Sequence, residues 1–380
     1  MGLARAWSVA LVGVDGRLVE IEAQVGGGLP GLHMVGLPDA ALQESKDRVR
    51  AAIVNSGSDW PSERIVLALS PASLPKSGSG FDLGLACGIL GGAESVPQAA
   101  LDGTVLLGEL ALDGRLRPVR GALPCVLAAR AAGMRRVIVP AESLPEAGLV
   151  DGIEVLGAGR LAEVLSFLRE GGELARPGPV GMGVEPAPPD LADVVGQEDA
   201  RHALEIAAAG GHHLLLVGPP GTGKTMLAQR LVGLLPRLDP ADALALAAVR
   251  SVAGRLLPGD AVSTVPPMVA PHHSSSLPAL VGGGSGLAKP GAVSLAHRGI
   301  LFMDEAPEFG GKLLDALRTP LEEGEVRLAR ADGTVTYPAR FQLVLAANPC
   351  PCAPAHDRDC ICSSLVRRRY LGRLSGPLLD

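Results

Sequence analysis

The stretch GPPGTGKT at positions 218–225 has the residue types and the spacing needed to hold a polyphosphate. It fits the pattern G-x-x-x-x-G-K-[ST], in which backbone N–H groups of a glycine-rich loop point inward at the phosphates. Lys224 supplies a positive charge to the β- and γ-phosphates, and the hydroxyl of Thr225 is a ligand for Mg²⁺. A chance Gly/Pro turn would leave the register of lysine and threonine unexplained. The predicted ATP-binding residues are Gly218, Pro219, Pro220, Gly221, Thr222, Gly223, Lys224 and Thr225.

Two acids and one amide end two further apolar runs. Asp304 and Glu305 follow the run 299–303, and Asn348 follows the run 341–347. The aspartate is placed to hold the Mg²⁺ shell, and the glutamate to orient or deprotonate the attacking water. Asn348 suits a sensor of the γ-phosphate and of that water. Taken singly, the acids would cap the next helix and the amide would form a turn. Together with the phosphate loop they predict ATP hydrolysis, with Lys224, Glu305 and Asn348 as catalytic residues.

Four of the six cysteines crowd together near the end of the chain, namely Cys350, Cys352, Cys360 and Cys362. Four thiolates can close a tetrahedral Zn²⁺ site. The C-x-C spacing is tighter than the usual C-x-x-C, so reduced free thiols are the alternative. Both interpretations fit a reducing compartment, where clustered cysteines favour metal over disulfides.

Strands and helices that are predicted from hydrophobic periodicity position these residues. An apolar strand at 214–217 leads into the phosphate loop, and a helix at 226–235 leads out of it. A turn at 190–197 precedes an alanine-rich helix at 198–209. The earlier chain predicts strands at 7–12, 18–23, 64–70, 105–107 and 137–139, with helices at 40–55, 79–90 and 123–132. The class is therefore mixed α/β. We predict one domain at 1–170, a Pro/Gly-rich linker at 171–190 that lets two rigid bodies move, and an ATPase core at 191–380.

Composition sets further bounds. A chain of 380 residues with 47% hydrophobic residues is long enough for two or three globular domains. No apolar run approaches the length of a bilayer span, and residues 1–10 lack the apolar core of a signal peptide, so we expect a cytoplasmic protein without a membrane partner. The net charge of -6 provides no global basic field, and only 2% of residues are aromatic. Any nucleic acid must therefore be bound by local loops or by a pore that forms when several subunits assemble.

The three strand ends resemble the AAA+ ATPase pattern, and the residues between them resemble its magnesium-chelatase-like branch. The stretches that carry this resemblance are APHHSSS at 270–276, KPGAVSLAHRG at 289–299, DEAPEF at 304–309, LRTPLEEG at 317–324 and ANPCPC at 347–352. The similarity is greatest to the ComM/YifB family, and it extends over essentially all 380 residues because both domains agree in order.

The first domain resembles the Lon-protease-like fold of the ribosomal S5 domain 2 type. LPKSGSGFDL at 74–83 and GELALDGRLRPVRG at 108–121 carry this resemblance. Proteolytic members use a Ser–Lys dyad, in which the lysine activates the serine. The aligned motif places Gly80 at the serine position and Leu123 at the lysine position, while Lys76 and Ser79 lie only nearby. The resemblance therefore implies a docking or assembly domain without proteolysis.

The resemblance also implies an activity. Family members of this kind form homo-hexameric rings that use ATP and Mg²⁺ to move DNA, as helicases or branch-migration factors in DNA uptake or recombination. Two alternatives remain: a chelatase-type ATPase that remodels a metal-inserting partner, and a nucleotide-gated scaffold without turnover. For the fold, the resemblance implies that the first domain precedes a P-loop AAA+ α/β/α domain that lacks its helical lid.

A hairpin is predicted before the Asn348 strand, from EVRLAR at 325–330 and VTYPAR at 335–340 with a Gly-Thr turn at 333–334. In this branch of AAA+ proteins such a hairpin points into the ring pore. Arg327, Arg330 and Arg340 are then candidates for contacts with DNA phosphates. A solvated edge hairpin is the alternative.

The family sequence continues beyond Asp380 with Arg-Ile-Asp and with a helical lid. That arginine is the candidate finger that reaches the ATP of the neighbouring subunit. Because an arginine finger contributes orders of magnitude to turnover, we expect residues 1–380 to bind ATP but to hydrolyse it slowly.

Overall fold

The fold is mixed α/β, as predicted, and contains a parallel sheet. The computed structural model describes residues 2–36, 40–74, 76, 78–178, 185, 187–256, 262–284, 288–330, 333–354 and 357–374. The chain divides into two compact units. The first unit comprises Met1–Gly183 with Arg250–Ala261, and the second comprises Val184–Val249 with Val262–Asp380.

The first unit is built around a mixed seven-stranded sheet of order β3-β4-β2-β1-β5-β8-β9. The strands of the unit are β1 Gly2–Val12, β2 Asp15–Gly26, β3 Gly31–Val35, β4 Arg64–Ser70, β5 Thr104–Leu106, β6 Glu109–Leu110, β7 Leu116–Arg117, β8 Arg136–Pro140 and β9 Glu154–Ala158. Strands β6 and β7 pair with each other in a separate two-stranded sheet. The helices of the unit are α1 Ala40–Asn55, α2 Asp82–Gly92, α3 Gln98–Leu101, α4 Ala122–Ala131, α5 Leu144–Ala147 and α6 Leu161–Glu170. The bounds of α1 and β4 coincide with those expected from periodicity, whereas β3, β9 and α6 were not anticipated.

The long hairpin β1–β2 follows from local residue patterns. Alternate side chains of β2, namely Val19, Ile21, Ala23 and Val25, are buried, as period-2 patterning requires. Val12 pairs with Asp15, so the connection has two residues, and Gly13 has φ of 68°. A left-handed glycine at the first loop position matches the twist of the two strands.

Helix α2 packs on β1 and β2, and nearly all of its residues are buried. Asp82 in its first turn is itself buried, and the Arg48 guanidinium of α1 donates to it at 2.9 and 3.3 Å. Burial raises the pKa of Asp82 to about 6, against the opposing pull of Arg48. The ion pair thus joins two helices of the core of this unit.

The second unit contains a four-stranded parallel sheet of order β10-β17-β14-β11. The strands of the unit are β10 Leu214–Val217, β11 Met268–Val269, β12 Gly282–Gly283, β13 Lys289–Pro290, β14 Ile300–Met303, β15 Glu325–Arg330, β16 Gly333–Pro338 and β17 Gln342–Ala347. Strands β12 and β13 form one separate two-stranded sheet, and β15 and β16 form another. The helices of the unit are α7 Glu198–Gly210, α8 Lys224–Leu234, α9 Pro240–Ala253, α10 Leu277–Val281, α11 Ala292–Leu295, α12 Gly311–Asp315, α13 Arg318–Glu323 and α14 Ser364–Leu371. The division between the units falls within α9.

Strand β17 is an interior strand of this sheet, between β10 and β14, and all six of its residues are buried. Leu216 pairs with Ala346 and Phe302 with Val344, so β17 lies between the strand of the phosphate loop and the strand of the two acids. Since the strands are parallel, their carboxyl ends meet at one edge, where ligands of open α/β sheets bind.

The predicted hairpin forms from β15 and β16, but its predicted turn is wrong. Gly333 and Thr334 lie within β16, where they pair with Arg330 and Ala329. The glycine-threonine pair thus continues the ladder, and the residues between the two strands lie outside the described part of the chain.

The predicted linker at 171–190 is in part attached to its neighbours. Ala175 forms a bridge with Gly157, and Arg176 forms an ion pair with Glu154 in the first unit. Glu185 accepts a hydrogen bond from the Thr264 hydroxyl in the second unit. Residues 179–184 and 186 lie outside the described residues. Among the helices that the structure describes, none has the length and apolarity to cross a membrane.

Candidate nucleotide-binding site

The phosphate loop, residues 218–225, connects β10 to α8. Gly221 and Gly223 have φ of 77° and 85°, a left-handed conformation that glycine adopts without strain. Helix α8 begins at Lys224, so its N-terminal N–H groups lie at the end of the loop. The Thr222 hydroxyl donates to the Pro219 carbonyl at 2.8 Å, and the Gln197 amide donates to the Thr222 carbonyl at 2.8 Å. Gln197 therefore supports the loop, a role that its sequence context did not reveal.

The Lys224 ammonium group links the phosphate loop to the end of β17. Its Nζ donates to the carbonyl oxygens of Gly218 at 2.7 Å and Pro219 at 2.9 Å. The third partner is Oδ1 of Asn348 at 3.2 Å. Burial lowers the pKa of Lys224, while the carboxylates of Asp304 and Glu305 act in the opposite direction. The structure therefore brings together two residues that are 124 positions apart in the chain.

Thr225 and Asp304 form a second contact between residues that are far apart in the chain, at a separation of 79 positions. The Thr225 hydroxyl donates to Oδ2 of Asp304 at 3.0 Å, and Oδ1 of Asp304 accepts from the backbone N–H of Glu305 at 2.9 Å. A hydroxyl and a carboxylate are hard oxygen donors of the kind that Mg²⁺ prefers, and Mg²⁺ is commonly held by few protein ligands together with phosphates. The donor set present here thus fits the metal that was predicted from the sequence.

Glu305 occupies an unusual backbone conformation at the end of β14. Its φ is 52°, a left-handed value that is uncommon for a residue other than glycine. Its side chain is 52% exposed, and Oε2 lies 3.4 Å from Nδ1 of His273. His273 follows β11, the strand that pairs with β14. His273 lies 32 residues before Glu305 in the chain, and the pairing of β11 with β14 brings the two side chains together.

Of the described hairpin side chains, Arg327 and Arg340 are not among the contacts of Lys224, Asp304 or Glu305. Nη2 of Arg327 lies 2.6 Å from Oε1 of Glu325 and 3.3 Å from Oε2 of Glu323. Arg340 is exposed, and the side chain of Arg330 lies outside the described atoms. Neighbouring carboxylates thus compete for Arg327, a feature that the spacing of the arginines did not predict.

The cysteine cluster, defined as Cys350, Cys352, Cys360 and Cys362, lies just beyond Asn348. The four Sγ atoms are within 4.8 Å of one another. All four cysteines are free. Burial raises the pKa of Cys350 to about 12, whereas the hydrogen bond with Cys350 lowers the pKa of Cys352 to about 7. The two C-x-C pairs that the sequence groups are therefore together in space.

In the first unit, the positions aligned with a protease dyad hold groups that cannot react. The carbonyl of Gly80 accepts from the N–H of Gly108, and the Leu123 side chain is fully buried. The buried Lys76 ammonium group donates to the Pro71 carbonyl, and the Ser79 hydroxyl donates to the carboxylate of Glu109. These two side chains therefore have separate partners, and a domain without proteolysis stays a prediction.

Comparisons with known proteins give matches in both parts of the chain. A family model described as "Magnesium chelatase, subunit ChlI" matches residues 190–380, and one described as "Subunit ChlI of Mg-chelatase" matches residues 21–143. An uncharacterized protein of Mycobacterium tuberculosis is 62% identical over all of this chain and 76% of its own length. The uncharacterized protein YifB of Escherichia coli is 46% identical over all of this chain and 74% of its length. The competence protein ComM of Haemophilus influenzae is 44% identical over all of this chain and 75% of its length.

Proposed function

The chain belongs to the magnesium-chelatase-like family that includes YifB and ComM, and from this premise we propose that it is an AAA+ ATPase that uses MgATP to act on DNA. One observation carries the proposal. At one edge of a parallel sheet, Lys224 is bonded to Asn348 and Thr225 is bonded to Asp304. A lysine, a hydroxyl, a carboxylate and an amide in this arrangement are the parts from which P-loop NTPases build their site.

Each side chain has a role in this proposal. Lys224 exchanges its loop carbonyl partners for oxygens of the β- and γ-phosphates, because a charged acceptor binds an ammonium group more strongly than a neutral carbonyl does. Thr225 and Asp304 would hold Mg²⁺, and the bound ion would supply charge that offsets the charge of the phosphates. Glu305 orients or deprotonates the attacking water, and Asn348 contacts the γ-phosphate. Zn²⁺ is a candidate ion for the cysteine cluster, but this chemistry does not require it.

Assembly and DNA contact are the finer parts of the proposal. We place the protein in a homo-hexameric ring that drives helicase or branch-migration activity in DNA uptake or recombination. The name of the relative ComM, a competence protein, favours this direction. The hairpin β15–β16 would present Arg327, Arg330 and Arg340 to DNA phosphates, and Arg327 would exchange its carboxylate partners for them.

A second candidate is a chelatase-type ATPase that remodels a metal-inserting partner. The description of the matching family models, subunit ChlI of magnesium chelatase, favours it. A nucleotide-gated scaffold without turnover is a third. An ATPase assay with added DNA distinguishes these three functions, because only the first predicts that duplex or branched DNA accelerates ATP hydrolysis.

Nucleotide binding is the first test. A fluorescent ATP analogue should saturate the 380-residue chain in a Mg²⁺-dependent manner, and Lys224→Ala should weaken its binding by at least about tenfold through the loss of charge-assisted contacts. Lys312→Ala, an exposed lysine of α12, is the matched control and should bind as the parent does. Absence of saturable binding by the parent would remove the ATPase proposal altogether.

Hydrolysis and DNA are tested next. Glu305→Gln should bind the analogue normally and slow any hydrolysis by about 10²- to 10⁴-fold, the usual contribution of a general base. Glu322→Gln, an exposed acid of α13, is the control. If DNA leaves the hydrolysis rate of the parent unchanged, the DNA proposal fails while the nucleotide site stands.

A further inference from the structure

The cysteine cluster has a geometry that the ATPase chemistry does not use. Sγ of Cys350 lies 3.3 Å from Sγ of Cys352 and 3.4 Å from Sγ of Cys360. The Sγ atoms of Cys352 and Cys360 are 3.6 Å apart. A tetrahedral Zn²⁺ with Zn–S bonds of about 2.3 Å separates its sulfurs by roughly 3.8 Å. A disulfide needs about 2.05 Å. The observed separations are thus close to those of a four-thiolate metal site and far from those of a disulfide.

The surroundings of the cluster are not those of buried structural cysteines. Free cysteines usually behave as small apolar residues of a core, as the buried Cys87 and Cys125 of the first unit do. In the cluster only Cys350 is buried, and Cys352 is exposed. Ile361, between two of the cysteines, is 91% exposed. Apolar packing therefore does not explain why four thiols converge at this surface.

The cluster joins two segments that lead to the nucleotide site. Cys350 follows Asn348 by two residues, and Cys362 precedes the first residue of α14 by two. Thiolates ahead of a helix N-terminus are stabilised by its dipole. The far end of α14 is also fixed, because Tyr370 is buried and the following Arg373 contacts Glu308 at 3.1 Å. Glu308 belongs to the turn that begins at Glu305.

From this arrangement we infer that the cysteine cluster is a structural Zn²⁺ site that fastens the segment after Asn348 to the start of α14. Four thiolates complete a closed tetrahedral shell, so the metal has no open position for catalysis. Its effect is to restrain α14 between the metal at one end and the Glu305 turn at the other. The metal site goes beyond the proposed ATPase function, and its existence does not depend on it.

Metal content is the direct test. The 380-residue chain, expressed with added zinc and purified without chelators, should contain about one Zn²⁺ per chain by elemental analysis. The double variant Cys352→Ser/Cys360→Ser should lose it. The double variant Cys87→Ala/Cys125→Ala removes the same number of thiols from the first unit and should retain it. Zinc that persists in the first variant, or a parent without zinc whose clustered thiols react freely with a thiol reagent, would overturn the inference.

Cobalt and hydrogen exchange test the geometry and the effect. Replacement by Co²⁺ should give the intense visible and thiolate charge-transfer bands of a tetrahedral S₄ site. Removal of the metal from the parent should increase amide exchange in residues 347–354 and 357–371, with no change in α2. Iron in place of zinc, or exchange that does not respond to metal removal, would contradict the inference. Because these measurements use the parent chain, they remain decisive even if a cysteine variant fails to fold.

Discussion

Gly299 sets the position of the strand that carries the two acids, and Gly299→Ala tests this directly. Gly299 precedes β14 between its two neighbours. The N–H of Ile300 donates to the Pro267 carbonyl at 2.8 Å on the β11 side, and the Gly299 carbonyl accepts from Gln342 at 2.8 Å on the β17 side. A Cβ at Gly299 would lie 2.0 Å from the carbonyl oxygen of Pro267 and 2.5 Å from its Cδ. No rotamer can relieve a contact between a Cβ and a backbone oxygen, so the strands must separate.

The size of the effect follows from that separation. Overpacking in a well-ordered core costs about 1–3 kcal/mol. Loss of the Ile300–Pro267 hydrogen bond adds about 1 kcal/mol. We therefore expect Gly299→Ala to lower the free energy of unfolding of the second unit by about 2–4 kcal/mol. Displacement of β14 also moves Asp304, so MgATP should bind more weakly.

Peptide-resolved hydrogen exchange in urea is the appropriate assay, because two units need not unfold in a single two-state transition. Both tryptophans, Trp7 and Trp60, lie in the first unit, and their emission provides an internal reference that should not change. The control is Gly311→Ala at the first residue of α12, where nothing lies within 4 Å of the added Cβ. An unfolding free energy of Gly299→Ala within about 0.5 kcal/mol of the parent would show that the added Cβ does not force the two strands apart.

Three other predictions concern charged groups. His273→Ala should slow hydrolysis by no more than about fivefold and leave nucleotide affinity unchanged, since an exposed contact between an imidazole and a carboxylate contributes at most about 1 kcal/mol. His272→Ala is the control, and equal effects in both would contradict a specific contact with Glu305. Burial lowers the pKa of His297 to about 4. Between about pH 6.5 and about pH 4 the imidazole of His297 is protonated in the unfolded chain but not in the folded one. The free energy of unfolding therefore decreases as pH falls, by about 2 kcal/mol at about pH 5. Urea unfolding should show a smaller decrease in His297→Asn. Arg48→Met should destabilise the first unit by about 2–3 kcal/mol at about pH 7, where Asp82 would be buried without its ion-pair partner, and much less at about pH 4, where the carboxyl is protonated; a pH-independent change in the urea midpoint would argue against this account.

Local patterns were sufficient to predict the phosphate loop and the elements around it. The bounds of β10 coincide with the predicted strand, and α8 begins two residues before the predicted start. The spacing of glycines, lysine and threonine is a property of neighbouring residues, because it reflects the backbone angles of one short loop. The catalytic roles of Lys224, Glu305 and Asn348 remain predictions. The turn at Gly333 was misplaced because a glycine in a strand resembles a glycine in a turn when only its neighbours are known.

The meeting of distant side chains was decided by the sheet. Strand order cannot be read from chain order, and the last strand of the sheet in sequence, β17, lies beside the first, β10. That pairing brings Asn348 to Lys224, and the pairing of β11 with β14 brings His273 to Glu305. Residue types and local spacing were enough to identify the chemical groups and the one loop that is predicted to hold phosphate. Only the tertiary structure decided which of these groups touch, because contacts between strands depend on burying a shared apolar surface and not on separation along the chain.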